Sequence, residues 1–287
     1  MKQVIINADD FGLTKGINLG IIKAFNEGVV TSTNAVVNGD FFEHGAGLIR
    51  ETDLSIGIHL NLTLGNPLLS QNGCRTLTDK DGGFFRYPRF IRRILLNRVD
   101  PLEIKKEFRA QIERFLKSGL SCSHINTHKH IGTIPSILSI ILELTKEFGI
   151  RKMRHPDEAG LFPGKIILNN FFKRETIRSN IVSFLARRAK TKLSRQNIAF
   201  PDYFFGISES GFRENENRFA FFLKSCREGI SEIMCHPSLM EDAPHGTGHG
   251  RYGPKRRFWE LEMLTDPRLK DLIREMNIQT ISFDDIS

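Results

Sequence analysis

Cysteine is scarce in this chain of 287 residues: Cys74, Cys122, Cys226 and Cys235 are scattered, with no C-x-x-C pair. That spacing offers no disulfide framework, and reduced thiols in a cytoplasmic protein are expected. No stretch approaches the roughly 18 consecutive apolar residues of a membrane-spanning helix, which leaves only contact with a bilayer surface open. The first residues lack a charged n-region followed by an apolar h-region, so no secretory leader is expected. Internal repeats, low-complexity tracts and linkers are also missing. With 40% apolar residues over this length, one domain, 1–287, with a large core is the economical organisation.

Acids are the minority charge, 33 against 41 bases, giving a net +8. Between Lys165 and Arg195 nine bases are opposed by Glu175 alone, and FFRYPRFIRRILLNR, Phe84 to Arg98, interleaves bases with Phe, Ile and Leu. A solvated face, an anionic membrane surface and nucleic acid each account for such a bias, and the last is least favoured because no nucleic-acid motif accompanies it.

What the chain does contain is a rhythm of short apolar strands and helical stretches, the pattern of βα units on a mainly parallel sheet. Gln3 to Ile6 reads as the first strand and Thr14 to Glu27 as a helix, with Ile17, Ile21 and Phe25 on one face and Gly28 as its stop. Val29 to Val37, Ser55 to Thr63, Arg151 to Arg154, Glu232 to Cys235 and Ile278 to Phe283 read as further strands. Ile134 to Phe148 and Leu261 to Met276 read as helices. In SIGIHLNLT, Ile56, Ile58, Leu60 and Leu62 share one face, so His59 and Asn61 would face a barrel lumen. CSHINTHKH repeats the device, and His124, Asn126, His128 and His130 share a face if that segment stays extended. The expected fold is an α/β, TIM-like (β/α) barrel, distorted or with fewer than eight regular strands. A basic excursion around 157–201 would sit on its rim.

Polar residues fall at the strand ends: Asp9-Asp10, His59, His128 and His130, Arg154-His155, and His236. In a barrel such ends converge on one face. Taken singly, His59 reads as a satisfied buried histidine and Asp9 as an N-cap or turn residue. Taken together they read as a site. One carboxylate and two imidazoles, with positions left open, suit a hydrolase that activates water at a metal, and Asp10, His59 and His128 can supply them. A strand rises about 3.3 Å per residue, so His124 and His128, roughly 13 Å apart, cannot both touch one ion. His124, deepest in its strand, is assigned to structure or to supporting a ligand, and His130 is left open as a second ligand. Two adjacent carboxylates demand a nearby cation, and alternation along an extended chain would point Asp9 and Asp10 opposite ways. His44, His245 and His249 receive no role.

NADDFG, GIHLNLTLGNP, the H-x-N-x-H-K-H of His124 to His130, and IMCHP resemble, in order and over nearly the whole chain, the YdjC-like carbohydrate deacetylases, relatives of the NodB-type polysaccharide deacetylases. PDYFFGISESG, Pro201 to Gly211, and Asn126 look most like the branch associated with hopanoid biosynthesis. The resemblance implies removal of the N-acetyl group from an N-acetylglucosamine conjugate, a glycolipid such as an N-acetylglucosaminyl hopanoid or a chitooligosaccharide, with release of acetate. By the same resemblance Asp10, His59 and His128 hold one divalent metal, Mg or Zn; Asp9 is the base, His236 the acid, and Arg154 orients the base. Asn61, His124, Asn126 and His130 are expected to support these groups or touch substrate. Two departures stand out: Asn126 where many members have Asp, and Gly132 where many have His. The partners implied are the N-acetylated sugar and, from the basic segments, a reversible membrane or glycolipid contact at the inner face; an oligomer is left open. Two other classes are carried: another metal hydrolase, such as a phosphodiesterase or different amidase, and a non-catalytic carbohydrate-binding barrel.

Overall fold

A computed structural model of the chain describes residues 1–158, 174–207, 217–239 and 253–287. His245, His249, Lys165, Lys173 and the end of the PDYFFGISESG segment lie outside the described residues, and the side chains of Arg174 and Glu175 are likewise not described.

Among the described residues seven strands form one parallel sheet: β1 Lys2–Phe11, β2 Ser32–Ala35, β3 Ser55–Leu60, β4 Ile125–Thr127, β5 Tyr203–Phe205, β6 Gly229–Cys235 and β7 Gln279–Thr280. Their order is β4-β3-β2-β1-β6-β5, with β7 beside the first residues of β1. The sheet curls, and the gap between β4 and β5 is spanned by residues 151–154. Ile125 bridges Met153 and Lys152 bridges Ala199, a few residues before β5. A distorted (β/α) barrel with fewer than eight regular strands results, as the βα rhythm predicts.

The helices are α1 Lys15–Asn26, α2 Phe42–Ile49, α3 Tyr87–Leu95, α4 Pro101–Lys117, α5 Pro135–Phe148, α6 Arg174–Arg195, α7 Arg218–Ser225, α8 Pro254–Thr265 and α9 Pro267–Glu275. Local chemistry sets their ends. The Thr14 hydroxyl caps α1 by accepting from Ile17 N, and Gly149, at φ 70°, ends α5. The single helix expected over Leu261 to Met276 is two, because Pro267 cannot donate into a continuing helix and instead starts α9, capped by Asp266. The basic excursion contains α6, which lays Val182, Ala186, Ala189 and Leu193 against the protein and so belongs to the outer helical ring.

Alternation sorts β1 into two environments. Val4, Ile6 and Ala8 join the core shared with the helices. Ile5 points into the lumen, where Ile281, Phe283 and Ile286 from the C-terminal segment plug the lower end. Burying each of these large side chains stabilises by about 1.5–3 kcal/mol. Several strands depart from the expected spans: β1 runs on through Asp9 and Asp10, β2 is only four residues long and β7 only two. All four cysteines are free. Among the described residues no helix is long and apolar enough to cross a membrane.

Candidate active site

Above the Phe283 plug the lumen turns polar. Asp9 is 2% exposed and surrounded by donors: Asn7 Nδ2 at 3.0 Å and Asn34 Nδ2 at 2.7 Å reach Oδ1, while Arg154 closes on both oxygens at 2.7 Å. Burial alone would raise the Asp9 pKa. The Arg154 charge and its hydrogen bonds, aided by His59 and His236, outweigh it and hold the carboxyl well below the usual range. Asp9 is thus neither an N-cap nor a turn residue; Thr14 takes the cap.

Arg154 serves a second carboxylate, donating from Nε to Glu232 Oε1 at 2.7 Å. Two buried acids sharing one guanidinium cannot both be fully neutralised. Burial pushes Glu232 up to about 7, against the pull of Arg154, with Asp9 adding to the rise. Glu232 was not singled out from the sequence, although alternation with Ile233 would have turned it and Met234 inward. Asn7 had the same signal, two residues before Asp9.

Asp10 faces the mouth for a different reason from the one expected. Strict alternation would aim it with Ala8 toward the helices. Instead the β1–β2 register shifts between Ala8 and Phe11, and Asp10 takes φ 77°, a left-handed backbone that turns it toward the site. Its Oδ2 accepts from the buried Arg257, while Oδ1 has no hydrogen-bond partner among the described residues and stands 3.7 Å from His59 Nε2. Burial raises its pKa, but Arg257 first, then His236, His128 and His59, lower it well below the ordinary value. Nothing in the sequence marked Arg257, which lies about 250 positions away on α8.

His59 and His128 meet edge-on, ring centroids 5.7 Å apart. Their Nδ1 atoms are occupied, His59 by the Asn126 amide at 2.6 Å and His128 by Thr63 Oγ1 at 2.7 Å, so the Nε2 edges remain for a ligand. Desolvation lowers the His128 pKa, which keeps that ring neutral and able to coordinate. The unpartnered Asp10 Oδ1 and the two Nε2 edges fit a divalent ion in donor type. Among the described residues, though, no three such groups already stand at the spacing of a closed ligand set.

Asn126 lies between the Asp9 and Asp10 sides and cannot satisfy both. The orientation that suits its neighbours points its oxygen at Asn34 and Arg154 and its nitrogen at His59 Nδ1. A ligating His59 needs the reverse, with Nδ1–H donating to the amide oxygen. An Asp here would accept on both sides.

The shared face expected for His124 to His130 breaks after Thr127. Lys129 and His130 adopt left-handed φ of 59° and 58° in a short helical turn, His128–Thr133, and His130 turns its ring to Phe204 at 5.7 Å. Strand spacing therefore does not measure the distance from His128 to His130. His124 is fully buried below the site, stacked on Phe283 at 3.6 Å and bonded to Ser123 Oγ. Gly57 makes room for it: a Cβ there would come within 2.4 Å of His124 Nδ1. The Asn61 side chain is spent on the loop after β3, bonding Asn38, Leu64 O and Thr63 N, and so presents Thr63 to His128. A Cβ on Gly132 would stand 2.9 Å from Thr127 Cγ2 and 3.1 Å from Ile141, so this turn has no room for a histidine at that position.

His236 ends β6 at the mouth, its backbone N–H donating to Glu260, itself paired with Arg218. Burial lowers its pKa, while Glu260, Asp10 and Asp9 pull the other way.

A distorted (β/α) barrel with acids, imidazoles and a shared arginine gathered at the carboxyl ends of its strands is the architecture of a barrel enzyme. Residues 3–275 match the family described as YdjC-like protein, and the chain belongs to that family. It is 34% identical to a carbohydrate deacetylase of Clostridium beijerinckii, over 99% of this chain and all of the relative. A carbohydrate deacetylase of Brevibacillus brevis is also 34% identical, with 99% of each chain covered, and one of Homo sapiens is 29% identical over 99% of this chain and 91% of the relative. A solved structure from Enterococcus faecalis, of a protein named for cellobiose-phosphate cleavage, superposes with TM-score 0.74 at 27% identity, covering 99% of this chain and 98% of that one.

Proposed function

We propose that the protein is a metal-dependent hydrolase that removes the N-acetyl group from an amino sugar and releases acetate. The full-length similarity to proteins named carbohydrate deacetylase carries this reading. The pairing of an Arg-held carboxylate with an Asp-His-His set across one mouth supports it.

Amide hydrolysis needs an attacking water, stabilisation of the developing oxyanion and a proton for the departing amine. Asp10, His59 and His128 are the residues that would hold a divalent ion, Zn or Mg, whose chemistry is to acidify water and polarise a carbonyl. Asp9 accepts the water proton. Its four donor contacts keep it ionised across the working range, at the expense of basicity. Arg154 fixes both Asp9 oxygens in place, so the proton-accepting lone pair has a set direction. His236 donates a proton to the sugar nitrogen. Because burial favours its neutral form, the neighbouring Glu260, Asp10 and Asp9 charges are what make protonation accessible.

Acetate release from chitooligosaccharides and N-acetylglucosaminyl lipids, with and without EDTA, tests the reading. Chelator-sensitive acetate is expected from at least one, and none from any would refute it. The solved relative's name raises a second reading, hydrolysis of a phosphorylated disaccharide. Phosphate or sugar release from cellobiose phosphate, with no acetate from N-acetylated sugars, would favour that instead.

A further inference from the structure

Among the described residues nine large hydrophobic side chains are substantially exposed, and six of them fall on α3, α6 and the start of α4: Leu95 at 77%, Leu96 at 50%, Leu102 at 63%, Ile177 at 47%, Ile181 at 55% and Phe184 at 52%. On α6 the spacing of Ile177, Ile181 and Phe184 puts them on one face, opposite the buried Val182, Ala186 and Ala189. Such a stripe on an outer-ring helix has the wrong polarity for water.

Topology decides which end of the barrel carries it. In a parallel βα array each helix begins where the preceding strand ends, so the first turns of α4 and α6 lie at the face where the active site opens. Contacts agree: Arg178, one turn into α6, donates to the carbonyl of Lys129 in the turn that bears His128, and its guanidinium lies 5.2 Å from the Tyr87 ring of α3. The apolar residues therefore rim the mouth.

The charge around them is predominantly positive, although Glu103 follows Leu102 and Asp157 pairs with Arg187. From Arg86 to Leu102 there are five arginines and a single acid, Asp100, whose carboxylate is used to cap α4. From Thr176 to Arg195 there are six bases and no acid. Apolar side chains to enter the acyl boundary, ringed by arginines for phosphate headgroups, suit an anionic lipid bilayer.

We propose that the rim formed by α3, its turn into α4 and the first half of α6 docks on an anionic membrane surface, which presents the mouth to an N-acetylated sugar carried on a lipid. The choice of substrate rests on the deacetylase reading; the docking does not.

Flotation of the full chain with phosphatidylcholine vesicles, with and without about one third phosphatidylglycerol, tests the docking separately from catalysis. Binding is expected only to the anionic vesicles. Arg92→Gln with Arg98→Gln should weaken it about 25-fold, at roughly fivefold per base. Ile181→Asp with Phe184→Asp should abolish it, whereas Leu116→Asp, an exposed leucine near the C-terminal end of α4, should leave it unchanged. Circular dichroism verifies that each variant is folded. No flotation of the unaltered protein, or flotation indifferent to both rim variants, overturns the proposal. So does a dimer in light scattering that Ile181→Asp with Phe184→Asp disperses while vesicles bind nothing, since the rim then serves a second copy of the chain. Vesicle binding without acetate release from any sugar would leave docking standing and remove the deacetylase reading.

Discussion

Asp9 and Asp10 are adjacent in the chain yet belong to different halves of the pocket. Asp9 lies inside the barrel among fixed donors from β1, β2 and the bridging segment 151–154, three bonds falling on Oδ1 and one on Oδ2. Asp10 lies at the mouth with one oxygen held by Arg257 and the other facing two imidazoles without a hydrogen bond. Such a grip suits a group that must stay put while one lone pair on Oδ2 is left to take a proton. A bare oxygen beside two imidazoles suits a ligand. The contrast shows how one dipeptide can supply two chemistries: a left-handed residue at a register shift sends the second carboxylate to a different set of neighbours.

The largest effect should come from exchanging the two acids separately. Asp9→Asn should lower kcat by about 10²–10⁴-fold while metal content, measured by elemental analysis of protein purified without chelator, stays unchanged. Asp10→Asn should lose the metal. If both variants lose metal, or neither does, the two halves are not distinct. Arg154→Met removes the cation that two buried carboxylates share, and should cost about 3–5 kcal/mol in urea unfolding, because Asp9 and Glu232 are left facing each other uncompensated. Arg257→Met frees a single carboxylate and should cost less.

Asn126 sits on the boundary, and Asn126→Asp tests it. A carboxylate behind His59 would accept from its Nδ1–H while still receiving Asn34 and Arg154. Metal affinity by calorimetry should rise about tenfold, the lower end of what such supporting groups contribute. A fall would mean that the amide is already in the ligand-ready orientation.

The smallest expected effect is a pH slope of opposite sign in the two acids that share Arg154. Glu232, raised to about 7, keeps its proton in the folded state after the unfolded chain has lost it. Stability therefore falls as pH climbs from the ordinary carboxyl range toward 7, and Glu232→Gln should flatten that decline in thermal melts. Asp9 is shifted the other way, so its contribution is present above the ordinary carboxyl range and is lost as pH drops below it.

Much of this was legible in the chain. The βα rhythm, the helix from Thr14 and the convergence of polar strand ends all follow from periodicity and capping, which are local and therefore written in consecutive residues. The extended reading of His124 to His130 failed because two left-handed residues, neither of them glycine, break the strand, and no local signal announces them. Pro267 carries a local signal for the break between α8 and α9, but the reading of Leu261 to Met276 as one helix passed over it.

The sequence by itself determined which residues could do chemistry and on which side of each strand most of them lie, because side-chain alternation is a property of the backbone. Tertiary structure alone decided the partners. Arg257 reaches Asp10, and Glu232 shares Arg154 with Asp9, only because strands and helices distant in sequence are brought side by side. Once water is excluded there, such long-range pairings set which acid is held ionised and which can keep a proton.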